Sequence, residues 1–338
     1  MKKNRLIGVT LVCLLVAALT ASLTGCKKFV LSNDFTDNFG KKEYYDVDAG
    51  NLIKPITTSD SVLLAWKKME ENFKQVSYLA YRGVVEGDID GKIPMTQSVY
   101  STYIRQKDTL TGNLKLYKED ASISSSGFGN SIVKTLGAIN STDGTQKYTI
   151  KYADKDVAAD NNGYPQSYEG NYIYESYDDQ NTYLENYHED LNKLSIYDIN
   201  NNSLDIEKCS ITEDEYGFIN VKFVFKDKSF DTADKDGNPI NFLQDATATR
   251  REVIAKKAKY GGMVLECSAD NVVFNKLEVT FKLWKSGNIR SVTVYEDYDM
   301  TAKTIIGNQT QECKFNSNFY YSNDPEELPI GEFEFKKP

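Results

Sequence analysis

The sequence predicts an α+β fold: one large curved antiparallel sheet with amphipathic helices packed on its concave face. Period-two alternation recurs in segment after segment, each with one polar side, as in antiparallel strands wet on one face. Three stretches carry helical periodicity instead. Strands also come in runs and rarely alternate singly with helices, which argues against a doubly wound parallel sheet.

The first helix is expected over about Asp60 to Val76. Thr57-Thr58-Ser59-Asp60 offers N-cap side chains. Val62, Trp66, Met69, Phe73 and Val76 recur at spacings of four and three and form one apolar stripe, while Lys67, Lys68, Glu70, Glu71 and Lys74 face away. Strands follow over Tyr78–Val85 and Ser98–Arg105, with Gly87-Asp88-Ile89-Asp90-Gly91 read as the turn between them. Leu114 and Leu116 alternate with lysine, and Tyr148, Ile150 and Tyr152 alternate with Lys147, Thr149 and Lys151. The Ser-, Gly- and Asn-rich residues 120–145 and the Asp-, Asn- and Gly-rich 154–170 read as long loops.

A second helix is expected over 182–196, opened by Thr182 with Glu185 as a capping box. A third runs from about Asn241 to Tyr260 and stops at Gly261-Gly262. Ile219, Val221, Phe223 and Phe225 form one strand. Leu277, Val279, Phe281 and Leu283 form another, with Lys285-Ser286-Gly287-Asn288 as a hairpin turn. Phe315, Phe319 and Tyr321 mark the last.

The composition limits the function. Apolar residues make up 40% of the chain, enough for a packed core, and the formal net charge is −9. An acidic exterior argues against nucleic acid and against a polybasic membrane footprint. Tyrosine is abundant, 23 residues against 2 tryptophans. Tyrosine suits half-wet sheets, where the ring packs and the hydroxyl meets water, and it also suits sugar-stacking surfaces.

The first residues have the three parts of an export signal. Lys2, Lys3 and Arg5 start it, an apolar run from Leu6 to Leu19 follows, and small residues lead to Leu23-Thr24-Gly25-Cys26. The run is roughly fourteen residues, short of the ~20 that span a bilayer. This segment resembles the bacterial lipoprotein lipobox. The resemblance implies transfer of diacylglycerol to the Cys26 thiol, cleavage before Cys26, and anchoring in membrane lipid by acyl chains. Two chains anchor stably where one binds marginally. The organisation expected is a signal peptide over 1–25, an acylated Cys26 and tether over 26–57, and one domain over 58–338 with long insertions around 120–210. The aromatic residues Phe39, Tyr44 and Tyr45 suggest that part of the tether packs back onto the domain. Cleavage removes three positive charges and no negative one, so the net charge moves from −9 to about −12.

The order of elements, a leading helix, long strands and a C-terminal hairpin with one further strand, is similar to the half-barrel architecture of bacterial lipoprotein carriers and lipid-binding lipoproteins. That resemblance covers about residues 58–325 and rests on pattern order. It implies acyl chains held between sheet and helices, and carries over no functional residue.

A search for chemistry yields little. His188, the one histidine of the chain, excludes paired-histidine zinc sites and the facial triad. It falls at the edge of the apolar stripe predicted for 182–196, where packing explains it better than general-base work. Asp234-Lys235-Asp236-Gly237-Asn238 resembles a calcium loop, but Thr232 and Leu243 occupy the first and twelfth ligand positions. The acidic, tyrosine-rich Tyr172–Tyr187 could bind sugar or a cation and reads more simply as strand and loop surface. Gly127-Phe128-Gly129-Asn130 lacks the strand–helix context of a phosphate cradle. Past the anchor three cysteines remain, Cys209, Cys267 and Cys313, so at most one intramolecular disulfide forms, and the strand-like surroundings of Cys267 and Cys313 favour that pair.

The expectation is a non-enzymatic lipoprotein, without cofactor, metal or nucleic-acid partner, that binds an apolar or amphipathic ligand such as a lipid. The alternative is a structural or interaction lipoprotein recognising protein or glycan through its tyrosine-rich face. A carboxylate-based hydrolase would need two converging acids that nothing in the sequence picks out.

Overall fold

The structure is a computed structural model that describes residues 36, 38–44, 51–91, 94–107, 114–126, 129–142, 145–153, 172–177, 193–227, 232–233, 239–259, 264–304 and 307–328. Helix α1 (Val62–Gln75) is followed by strands β1 (Tyr78–Asp90), β2 (Met95–Lys107), β3 (Leu114–Ser126), β4 (Gly129–Thr142), β5 (Thr145–Ala153) and β6 (Tyr172–Tyr177). Next come β7 (Ser210–Glu213), β8 (Ile219–Val224), the short pair β9 (Thr232–Ala233) and β10 (Pro239–Ile240), and helices α2 (Phe242–Ala246) and α3 (Ala248–Lys259). β11 (Val264–Glu266), β12 (Val272–Leu283), β13 (Ile289–Thr304) and β14 (Gly307–Ser322) are the remaining described strands.

Among the described residues twelve strands make one open antiparallel sheet in the order β6-β5-β4-β3-β2-β1-β14-β13-β12-β8-β7, with β11 added on β13. Most of the described residues belong to this sheet, with a few helices laid on it. β14 lies between β1 and β13, so the last strand joins the first to the rest of the sheet.

The helices cover one face. On β13 every second residue from Val292 to Ala302 is buried, and on β12 Leu277, Val279, Phe281 and Leu283 are fully buried. α1 starts where Ser61 Oγ accepts the Leu64 N–H at 3.2 Å. Asp60 belongs instead to the preceding turn, accepting from the Thr57 N–H and pairing with Lys68 at 2.9 Å. Along the expected stripe Trp66, Met69 and Phe73 are buried. The Trp66 ring meets Phe223 edge-on at 5.7 Å and Phe281 at 5.9 Å. Burying rings of this size stabilises the fold by about 1.5–3 kcal/mol each. At the other end Arg105 of β2, almost fully buried, donates through Nη2 to the carbonyls of Phe73 (2.7 Å) and Val76 (2.9 Å). A cation there satisfies carbonyls that the helix leaves open and opposes its dipole.

The third predicted helix is two helices. Asn241 caps α2 by accepting from the Gln244 N–H, and the Thr247 hydroxyl turns back to the Leu243 carbonyl at 2.8 Å, ending the first segment. Leu243, Ala246, Ile254 and Ala255 join the same core as Trp66 and Phe274.

Two expectations are corrected. The glycine run at 87–91 is not a turn, since β1 continues to Asp90. Gly83 and Gly87 lie opposite Phe319 and Phe315 of β14, whose rings cross the strand where a Cβ would stand. A glycine is needed there because an aromatic side chain uses its space, not because the chain bends. Residues 120–126 and 129–142 are not loop either: they belong to β3 and β4, paired from Leu116↔Ile139 to Ser126↔Gly129. Backbone pairing in the sheet overrides the turn preference of serine and glycine.

Phe315 is 5% exposed and cannot retreat. Gly87→Ala is therefore expected to destabilise the protein by about 1–3 kcal/mol through overpacking, read as a lower urea midpoint at unchanged slope. An unchanged midpoint would show that the Phe315 ring has room to move.

Candidate functional site

The most concentrated chemistry among the described residues is buried under α3. Glu296 of β13 stands in the apolar phase of its strand, with Leu277 and Phe315 as cross-strand neighbours, and is 1% exposed. Arg250 reaches down from α3 and binds it with both forks, Nε to Oε1 and Nη2 to Oε2, each at 2.6 Å. The Tyr197 hydroxyl donates to Oε1 at 2.8 Å. Burial alone would lower the Arg250 pKa, but the facing Glu296 charge and its hydrogen bonds hold it well above its ordinary value. Burial and the same carboxylate push the Tyr197 hydroxyl well up. Both carboxylate oxygens are occupied, and the surrounding side chains are packed. The arrangement fixes α3 to the sheet and offers no free base or nucleophile.

Beside it, Tyr298 stacks on Phe315 at 5.9 Å and packs on Phe274 at 5.1 Å. Its cross-strand partner Cys313 is 1% exposed, and burial pushes that thiol up to about 12. Cys209, Cys267 and Cys313 are thiols that form no disulfide, which corrects the pairing favoured above for Cys267 and Cys313. Cys267 Sγ lies by the carbonyl of Thr301, whereas Cys313 faces Tyr298, three residues along the same strand. That offset is about 10 Å, beyond disulfide reach.

The second feature is aromatic. Tyr81 of β1 and Tyr103 of β2 are cross-strand partners stacked at 4.9 Å with an 8° interplanar angle. Phe319 and Tyr321 of β14 pack on Tyr81 at 5.2 and 5.3 Å. All four rings are half-buried and lie on the helix-bearing face, beyond the end of α1. Burial, then the nearby Tyr103, raises the Tyr321 hydroxyl pKa.

A cavity of about 10 Å³ lies under α1 among Met69, Asn72, Phe73 and Gly287, no more than one water needs. Among the described residues no group of three or more His, Cys, Asp or Glu side chains could hold a metal ion. No described helix is long and apolar enough to cross a membrane. Cys26, His188, Asp234–Asn238 and the end of the tyrosine-rich stretch beyond Tyr177 lie outside the described residues.

No family model matches the chain, and no curated protein matches it. Among solved structures it is similar to a porin-like protein from Bacteroides uniformis, at 14% identity over 74% of this chain and 96% of that one, with a TM-score of 0.22. It is also similar to the beta domain of the Bordetella autotransporter BrkA, at 10% identity over 72% and 98%, with a TM-score of 0.17. Scores of that size transfer neither architecture nor activity to this chain.

Proposed function

We propose that this protein is a lipid-anchored, extracytoplasmic lipoprotein that binds rather than catalyses, and that it binds on the face of its sheet, not in a cavity beneath its helices. The observation that carries this reading is the aromatic terrace of Tyr81, Tyr103, Phe319 and Tyr321, half-buried where α1 ends. Paired rings with hydroxyl tips suit a glycan or a protein surface, because they offer rigid apolar area and hydrogen bonds together. The carrier reading, acyl chains held between sheet and helices, has less support. Trp66, Phe223, Phe281 and Leu243 already fill the described part of that space.

The anchor rests on the Lys2-to-Cys26 signal pattern. One experiment addresses both parts. Wild type, Cys26→Ala and Tyr103→Ala are expressed, labelled with palmitate and fractionated, and the mature proteins are assayed against cell-wall glycan and envelope proteins. Cys26→Ala is expected to lose label and leave the membrane fraction. Tyr103→Ala is expected to stay anchored and bind its target at least ten-fold more weakly. Unchanged binding by Tyr103→Ala, or a lipid held inside the domain when it is purified without its acyl anchor and examined by native mass spectrometry, would refute the terrace.

A further inference from the structure

We infer that the strap formed by residues 38–44 seats the domain on the headgroups of an anionic bilayer, with Lys41, Lys42 and the Tyr44 ring as the contact. The inference rests on the acylation of Cys26 proposed above.

The strap is fixed on both sides of its two lysines. Before them, Phe39 is 4% exposed in a cluster with Tyr78, Ala80, Ile104 and Leu328, on the sheet face opposite the helices. The Arg82 guanidinium lies 5.5 Å over its ring. Gly40, at φ 60°, donates its N–H to Glu327 Oε1 at 2.7 Å, and a Cβ there would strike the Tyr321 carbonyl. After them, Glu43 accepts from the Ser286 hydroxyl and from Asn288 Nδ2 at 2.9 Å, in the β12–β13 turn. The Tyr44 backbone exchanges two hydrogen bonds with the Asn323 side chain, at 3.3 and 2.6 Å. Between these points Lys41 and Lys42 are exposed, Lys41 resting on Asn38 at 3.3 Å, and Tyr44 itself is 41% exposed.

The leash is short. Phe39 lies thirteen positions after Cys26, and a fully extended chain of about that length reaches at most ~45 Å. The strap is therefore where the anchored chain enters the domain, and it stays near the bilayer. The leash and strap carry acids as well as lysines, Asp34, Asp37 and Glu43 among them, so the contact depends on placement and not on net charge. Glu43 is taken up by Ser286 and Asn288, which leaves the exposed Lys41 and Lys42 as the charges the strap presents, and an anionic surface attracts them while it repels the acidic chain as a whole. A tyrosine at the same point fits the headgroup level, with its ring apolar and its hydroxyl wet.

The test uses the mature chain from Cys26 onward, carrying Cys209→Ser, coupled through Cys26 to a maleimide lipid in vesicles. Serine at 209 can keep the hydrogen bonds to the Asp205 carbonyl and from the Val224 N–H, and Cys267 and Cys313 are buried. Hydrogen exchange of the amides of residues 41–44 is compared on phosphatidylcholine vesicles with and without phosphatidylglycerol. Exchange several-fold slower on the anionic vesicles, with the difference abolished by Lys41→Gln/Lys42→Gln, is the expected result. Equal exchange on both vesicles, or a difference that survives the double substitution, overturns the inference. Chemical coupling stands in for cellular acylation, so this result is independent of palmitate labelling, which decides the anchor separately.

Discussion

Arg250→Ala is expected to destabilise the protein by about 3–5 kcal/mol, the cost of leaving a buried carboxylate without its partner. The size follows from the burial of Glu296, whose side chain is 1% exposed, and from the loss of both charge-assisted bonds at 2.6 Å. The cross-strand neighbours of Glu296, Leu277 and Phe315, offer no polar group to replace the guanidinium. Replacing all three members together, Arg250→Met, Glu296→Leu and Tyr197→Phe, is expected to recover most of the loss, since apolar groups of similar size need no partner. Denaturant unfolding of the single and triple variants measures both numbers. A loss below about 1 kcal/mol for Arg250→Ala would mean that Glu296 reaches solvent.

The second large effect is at alkaline pH. The thiol of Cys313 titrates near its ordinary 9.0 when the chain is unfolded and near 12 when folded. A pKa raised by folding gives stability that is complete below pH 9 and is lost as pH rises from 9 towards 12. The unfolded chain ionises first, at up to about 1.4 kcal/mol per pH unit. Burial gives the Tyr298 hydroxyl the same sign at higher pH. Unfolding midpoints between pH 8 and pH 12 should therefore fall for the wild type and fall less steeply for Cys313→Ala. Parallel curves would show that Cys313 is not the group responsible.

Much of the fold is legible in the sequence because apolar spacing reports burial directly. The stripe Trp66, Met69, Phe73 gives α1, and the alternation of Leu277, Val279 and Phe281 gives β12. Errors arise where one residue type serves two purposes. Gly87 reads as a turn because nothing local shows that Phe315, more than two hundred residues later, needs the space. Ser122 to Ser126 reads as loop because its support is the ladder to β2 and β4. The buried ion pair left one signal, an acid at position 296 in phase with Val292, Val294 and Tyr298. Its partner could not be read in the same way, because α3 has a weak apolar face and Arg250 is one of several basic residues on it. The terrace was legible only as tyrosine abundance. Its members come from β1, β2 and β14, and register alone brings Tyr81 between Tyr103 and Tyr321.

The position of β14 has a consequence for how the chain is made. A polypeptide that emerges N-terminus first can zip β1 to β6 early and gather β7, β8, β12 and β13 later. Until residues 307–322 arrive, both assemblies carry an open edge, and β1 and β13 lack the strand that unites them. Helix α1 meets the same delay, because its partners Phe223 and Phe281 are synthesised long after it. Long-range pairing of this kind forms slowly. The two halves of the sheet are thus united only by β14, and a nascent chain carries unpaired, aggregation-prone strand edges until residues 307–322 are free.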